Sequence, residues 1–182
     1  MSFEGLREEL SRVLEPPPNR AVVEGTHAAV LMGISDFPEG PRLWLIRRPE
    51  TMRKHGGQVA FPGGKFEAGD ASLVETALRE AEEEVGLPRE LVTVLGALDE
   101  LTIRFSGYVV TPVVAWIAPG FEPRPNEVEV ARVFTIAVED VAFAFDEVSP
   151  LVGVQLEGER LWGASAFMVK RLGEAIRRAR GR

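Results

Sequence analysis

The amino-acid sequence predicts a strand-rich, mixed α/β protein of one domain, and three observations carry that expectation. Short apolar runs bounded by turn residues recur along the chain, several stretches place apolar residues at helical spacing, and hydrophobic residues make up 45% of 182 positions. That content over that length suffices for one sizeable core. Charged residues, at 27%, are an ordinary globular share and argue against wholesale disorder.

The formal net charge of -7 argues against broad electrostatic binding to nucleic acid. An acidic protein that handles phosphates then needs local cations, either a metal or a few placed arginines. The chain has no cysteine, which excludes disulfides, thiolate metal sites and cysteine nucleophiles. The first fifteen residues are amphipathic and partly acidic, unlike a signal peptide, and no apolar run approaches membrane-spanning length. A cytoplasmic protein without nucleic-acid or membrane partners is the expectation.

Phe3, Leu6, Leu10 and Val13 predict a helix over 2–14, which Pro16, Pro17 and Pro18 stop. Residues 28–34 and 43–46 read as strands, separated by a turn over 36–41 that contains Pro38, Gly40 and Pro41. From 49 to 64 clear periodicity is lost, apart from a strand-like Gln58-Val59-Ala60, and loops of that length in a domain are commonly functional. Ser72 followed by Glu75 is a capping-box signature, and Leu73, Val74, Ala77, Leu78, Ala81 and Val85 share an apolar face. Gly86 and Pro88 end that helix. Residues 92–98, 109–117 and 130–136 read as strands and 138–145 as a short helix. Residues 151–156 and 160–162 flank a turn at Glu157-Gly158-Glu159. A closing helix over 164–179 ends in Arg177, Arg178 and Arg180, a basic end that complements the helix dipole. His27, at a strand start, reads as structural, and Trp116 and Trp162 as core or interface residues.

The helix around residues 79–84 carries the chemistry. With Glu80 as origin, Glu84 lies about 40° to one side and Glu83 about 60° to the other. The three carboxylates are thus expected to crowd one exposed polar face, with Glu82 directed elsewhere into solvent. Like charges so spaced oppose helix formation, and a hard divalent cation reverses that sign. Arg79 reaches Glu83 at i+4 and is expected to hold its carboxylate. An acidic run alone is commonly a solvated helix face. Phe61-Pro62-Gly63-Gly64 just upstream changes the balance, because paired glycines permit unusual backbone angles and close approach to phosphate.

Together, Gly64, Asp70, Arg79-Glu80-Ala81, Glu83-Glu84 and Gly86-Leu87 resemble the Nudix box. There are two departures from its pattern: Asp70 stands where a glutamate is expected, and eight residues rather than seven separate it from Arg79. A narrower likeness covers 45–64, where Arg48, Met52, Arg53, His55, Gly57 and Gln58 resemble the signature of the coenzyme A pyrophosphatase branch. Pro49 replaces a serine there, and an aspartate at the Asp70 position is familiar in that branch. The likeness extends over most of residues 26–170.

The resemblance implies a Nudix-type α/β/α sandwich with a mixed central β-sheet, with the box at 64–87. It implies hydrolysis of the pyrophosphate of coenzyme A or its derivatives to 3′,5′-ADP and 4′-phosphopantetheine by water that Mg²⁺ or Mn²⁺ activates. The metal ligands carried over are Glu80, Glu83 and Glu84, with Glu80 and Glu83 also in the catalytic group and Arg79 positioning the carboxylates. The general base is either a box glutamate or one from a later loop. Glu129 is the better candidate there and Glu127 the next, weighed against an exposed pair at a strand start. Arg48, Arg53 and Lys54 suit the substrate's phosphates, and Gly63 and Gly64 line the same approach. His55 either binds substrate or locks the long loop, with loop packing the favoured role. Two alternatives accompany this reading: a Nudix pyrophosphatase acting on ADP-ribose, NADH or dinucleoside polyphosphates, and a non-catalytic nucleotide-binding module. Intact Glu80, Glu83 and Glu84 speak against the module. Homodimers are common among such relatives, although no residue here specifies one.

Overall fold

A computed structural model of the chain describes residues 5–19, 22, 25–53, 55–103, 106–143 and 153–181. Its centre is β1 (His27–Phe37), which runs parallel to β7 (Val109–Ile117) on one edge and antiparallel to β2 (Gly40–Arg47) on the other. β5 (Val92–Ala97) and the short β6 (Leu101–Thr102) pair antiparallel with β7, and β8 (Arg132–Ala137) pairs antiparallel with the far edge of β2. The sheet is therefore mixed, as expected.

β1 and β2 stay paired only near their turn, from Phe37–Gly40 to Ile34–Leu43, and then diverge. Two short strands fill the fork. β3 (Val59–Ala60) pairs with the end of β2, and β4 (Gly63–Lys65) pairs with the start of β1. Phe61 and Pro62 cross between them, with the Pro62 carbonyl accepting from the Leu31 amide at 2.8 Å. The segment after residue 49 is thus partly sheet, because both diverging strands offer unpaired backbone groups that it satisfies.

Alternation along the strands divides the core in two. Ala29, Leu31, Val113, Ala115 and Ile117 face α2 (Leu73–Val85), which covers them with Leu73, Ala77, Ala81 and Val85. Met32, Ile34, Val114 and Trp116 face the opposite layer, made of α1 (Leu6–Val13), α3 (Val138–Phe143) and α4 (Gly163–Ala179). Helices on both faces of the sheet make the α/β/α sandwich. Among the described residues no helix is long and apolar enough to cross a membrane.

Several boundaries differ from the sequence reading. The N-terminal helix begins at Leu6, because Gly5 caps it with φ 76°, outside helical geometry; residues 2–4 lie outside the described residues. β1 runs on through Asp36 and Phe37, leaving only Pro38 and Glu39 to turn, because cross-strand pairing with Gly40 and Pro41 overrides their turn chemistry. β9 (Val154–Leu156) and β10 (Glu159–Leu161) form the expected hairpin, but Glu159 is a strand residue. Its turn is Glu157-Gly158, both at positive φ, 48° and 82°, as a two-residue primed turn requires. Of the expected helix and strand, residues 144–145 and 151–152 lie outside the described residues.

Candidate active site

α2 is held at both ends. The Ser72 hydroxyl accepts from the Glu75 amide at 3.2 Å, and Gly86 at φ 68° turns the chain so that its amide reaches the Glu82 carbonyl at 3.0 Å. The loop before β8 then docks on the helix end: the amides of Arg124 and Asn126 donate to the carbonyls of Val85 and Glu84 at 2.8 and 2.9 Å. The turn over 127–129 is thereby fixed beside the glutamates.

Those glutamates do not share one exposed face. Glu84 is only 1% exposed and turned toward β4, where its Oε2 accepts from the Gly63 amide at 2.9 Å. Its Oε1 faces Arg48 Nη2 at 3.4 Å. Burial pushes the Glu84 carboxyl up to about 7; Arg48 and the Gly63 amide oppose the rise, and the charges of Glu80 and Glu129 add to it. Glu80 is raised in the same way, by burial first, against the pull of Arg79 and with the repulsion of Glu83 and Glu129. Glu83 stands out in solvent with its side chain 58% exposed. The wheel put all three in one sector; the sheet covers Glu84 and much of Glu80 and leaves Glu83 outside. Glu82 is exposed as expected, and pairs with Arg89 at 3.1 Å.

Arg79 also differs from expectation. Its main partner is Asp70, gripped in a fork of Nε to Oδ1 at 2.9 Å and Nη2 to Oδ2 at 3.1 Å, while Nη1 reaches Glu80 at 2.9 Å. Glu83 is a marginal contact at 3.4 Å. Asp70 further accepts from the Thr76 hydroxyl at 2.8 Å and the Glu67 amide at 3.0 Å. Burial works to raise the Asp70 carboxyl, yet Arg79, the Glu67 amide and Thr76 together hold it below the ordinary carboxylate range. Asp70 and Thr76 were not singled out from the sequence as site residues. The available signal was an acid placed ahead of a capped helix carrying one arginine on the same flank.

The glycines act by close packing and not by unusual angles, for neither Gly63 nor Gly64 has positive φ. A Cβ on Gly63 would lie 2.5 Å from the Ala29 carbonyl oxygen, and one on Gly64 would lie 2.3 Å from Glu80 Oε1. Gly64 therefore leaves the volume that the Glu80 carboxylate fills.

Of the remaining candidates, Arg48 lies against Glu84, and Arg53 is exposed. His55, at φ 60°, shares a hydrogen bond of 3.0 Å with Gln58, the loop-locking contact anticipated for it. Glu129 is half-buried and Glu127 exposed, in a turn before β8 and not at its start. Lys54 lies outside the described residues. His27 is buried beside Thr26 and Trp116 is buried, whereas Trp162 is half-exposed. Arg47 pairs with buried Glu159, which also binds Arg132 at 2.9 Å.

Among the described residues no three acidic or histidine side chains converge closely enough to enclose a metal ion as they stand. Arg48 and Arg79 hold Glu84 and Glu80 instead. The donor set nevertheless fits a hard divalent cation: it is all oxygen, and Glu80, Glu84 and Glu129 repel one another across a partly buried space that a cation would neutralise.

The fold is a mixed α/β/α sandwich in which Glu84 and Glu80 pack against Gly63 and Gly64 of the fork. The comparisons give the family: residues 25–152 match the NUDIX domain, and the chain belongs to the Nudix hydrolases. It is 39% identical over 174 residues to the uncharacterized Nudix hydrolase NudL of Photorhabdus laumondii, covering 90% of this chain and 91% of that one. It is 43% identical over 169 residues to NudL of Pectobacterium atrosepticum, covering 86% of each. The crystal structure of the Nudix hydrolase RenU from M. smegmatis aligns with a TM-score of 0.62 at 25% identity, over 88% of this chain and 91% of that one.

Proposed function

We propose that this hydrolase cuts the pyrophosphate of coenzyme A or its derivatives in the cytoplasm, releasing 3′,5′-ADP and 4′-phosphopantetheine or its acylated counterpart. One observation supports this above others: the segment resembling the coenzyme A branch begins with Arg48 against Glu84. Its loop is tied by the Arg48 amide to the Gln58 carbonyl at 3.0 Å and the Gly57 amide to the Arg48 carbonyl at 3.1 Å. A substrate spanning from the glutamates toward Arg48 and Arg53, with His55 alongside, would meet two guanidinium cations near its phosphates.

In this reading Glu80, Glu83 and Glu84 hold Mg²⁺ or Mn²⁺, which supplies neutralisation of the pyrophosphate oxygens when bound. Arg79, fixed by Asp70, orients Glu80. The Glu129 carboxylate takes the proton of the attacking water, supported by its electrostatic proximity to Glu80 and Glu84. The new P–O bond forms as the bridging P–O bond breaks, and the bridging oxygen leaves on one phosphate product. A substrate panel with product masses tests the reading, with coenzyme A, dephospho-coenzyme A and ADP-ribose compared directly. Coenzyme A should be cut fastest, to masses matching 3′,5′-ADP. No preference for the 3′-phosphate, together with faster cleavage of ADP-ribose, would reject the substrate.

A further inference from the structure

Glu84 is almost wholly buried, and both of its oxygens are engaged, one by the Gly63 amide and one by Arg48. The charges that bear on it are Arg48, Glu80 and Glu129. Arg48 is thus the cation that offsets this carboxylate. An unpaired buried carboxylate is costly, so some cation or proton must be there.

The two arginine pairs of the site differ in kind. Arg79 grips Asp70 through two nitrogens at 2.9 and 3.1 Å. Arg48 touches Glu84 through one nitrogen at 3.4 Å, at the long end of hydrogen-bond geometry. The first is a clamp, and the second is a contact that can be exchanged. The Arg48 backbone is meanwhile fixed by bonds to Gln58 and Gly57, so its side chain can swing from a fixed anchor. That side chain is 20% exposed, so one side of it meets solvent.

We propose that Arg48 is the internal counter-ion of Glu84, displaced when a divalent cation binds and thereby delivered to the substrate's phosphates. Resting on the metal-site reading above, this makes Arg48 a positioning residue that couples the two ligands. Metal binding releases the guanidinium, and a phosphate that captures it keeps it from competing for Glu84. By linkage, metal then strengthens substrate binding and substrate strengthens metal binding.

The test uses Mn²⁺ alone, without substrate, titrated into the full chain by calorimetry and by electron paramagnetic resonance. Arg48→Gln is expected to bind Mn²⁺ more tightly than wild type, by about 5-fold to 150-fold, the usual range for coupled sites. Arg48→Lys keeps the charge and should stay nearer to wild type. Arg48→Met serves if the glutamine variant does not fold. Unchanged or weaker Mn²⁺ binding in the uncharged variants overturns the proposal, as does an equal gain in the lysine variant. Glu84→Gln should weaken Mn²⁺ binding whether or not Arg48 is present. If it does not, the metal-site reading fails separately, and a negative substrate panel would touch neither result.

Discussion

Replacing Glu84 by glutamine gives the sharpest test of the buried carboxylate, because stability and activity should move in opposite directions. In the folded chain the Glu84 carboxyl is pushed from 4.5 to about 7, which corresponds to about 3 kcal/mol. The folded state binds this proton more tightly than the unfolded state does. Its contribution to stability is therefore fully present below pH 4.5 and is lost as pH rises through about 7. Glutamine cannot ionise, so the variant escapes that loss. In EDTA, its melting temperature relative to wild type should rise between about pH 5 and pH 8, by about 6–12 °C for a domain of this size. Saturating Mn²⁺ should reverse the order, since wild type gains binding energy that the variant lacks. Turnover should be nearly abolished throughout. Thermal melts followed by circular dichroism across that pH range, with and without Mn²⁺, provide the measurement. A variant-minus-wild-type difference that is flat with pH in EDTA would refute the buried, ionising Glu84 on which the reasoning rests.

Four further single substitutions probe the supports of the site and the ion pairs between β2, β8 and β10. Asp70→Ala removes the fork partner of Arg79 and should cost about 3 kcal/mol in urea unfolding, with an activity loss of about 10-fold to 100-fold. Gly64→Ala should keep the fold but weaken Mn²⁺ binding in calorimetry, since its Cβ would meet the Glu80 carboxylate at 2.3 Å. Gly63→Ala should chiefly destabilise, because its Cβ would meet backbone at 2.5 Å. Glu159→Ala leaves Arg47 and Arg132 facing each other across β2 and β8 and should cost about 1.5–3 kcal/mol in the same unfolding assay. Adding Arg47→Ala to that variant should recover part of the loss, and full additivity would show that the three side chains do not act together.

What the sequence made legible was what short-range physics determines. α2 was readable to the residue from Ser72 to Gly86 because its cap, its apolar stripe and its stop are all local. Of the strands after it, β5, β7 and β8 were readable within a residue or two, whereas the two-residue β6 was not read. The fork between β1 and β2 was legible only in part: Gln58-Val59-Ala60 is strand-like, but where the two long strands part, and that Gly63 also finds a partner there, is not written locally. The same limit hid the direction of Glu84. A helical wheel gives the angle between Glu80, Glu83 and Glu84, but the fork decides which flank the chain covers. Arg79 followed the same logic: its i+4 neighbour was visible, whereas the stronger partner, Asp70, comes from a loop folded back beneath the helix.

The three glutamates therefore hold unequal positions, and their inequality bears on how the site can work. Glu84 is fixed by a backbone amide and buried, so it can anchor a cation with little reorganisation. Glu83 is exposed and weakly held, so it can move to complete a coordination shell or leave it. Glu80 lies between, packed against Gly64 and tethered by Arg79, whose own position is set by Asp70. A site with three equally mobile carboxylates would lose side-chain entropy at each of them on binding metal. Here the fork and the Asp70 clamp order two of the three during folding. The ordering that remains falls on Glu83, which is exposed, and on Arg48, which is held to Glu84 by a single contact of 3.4 Å.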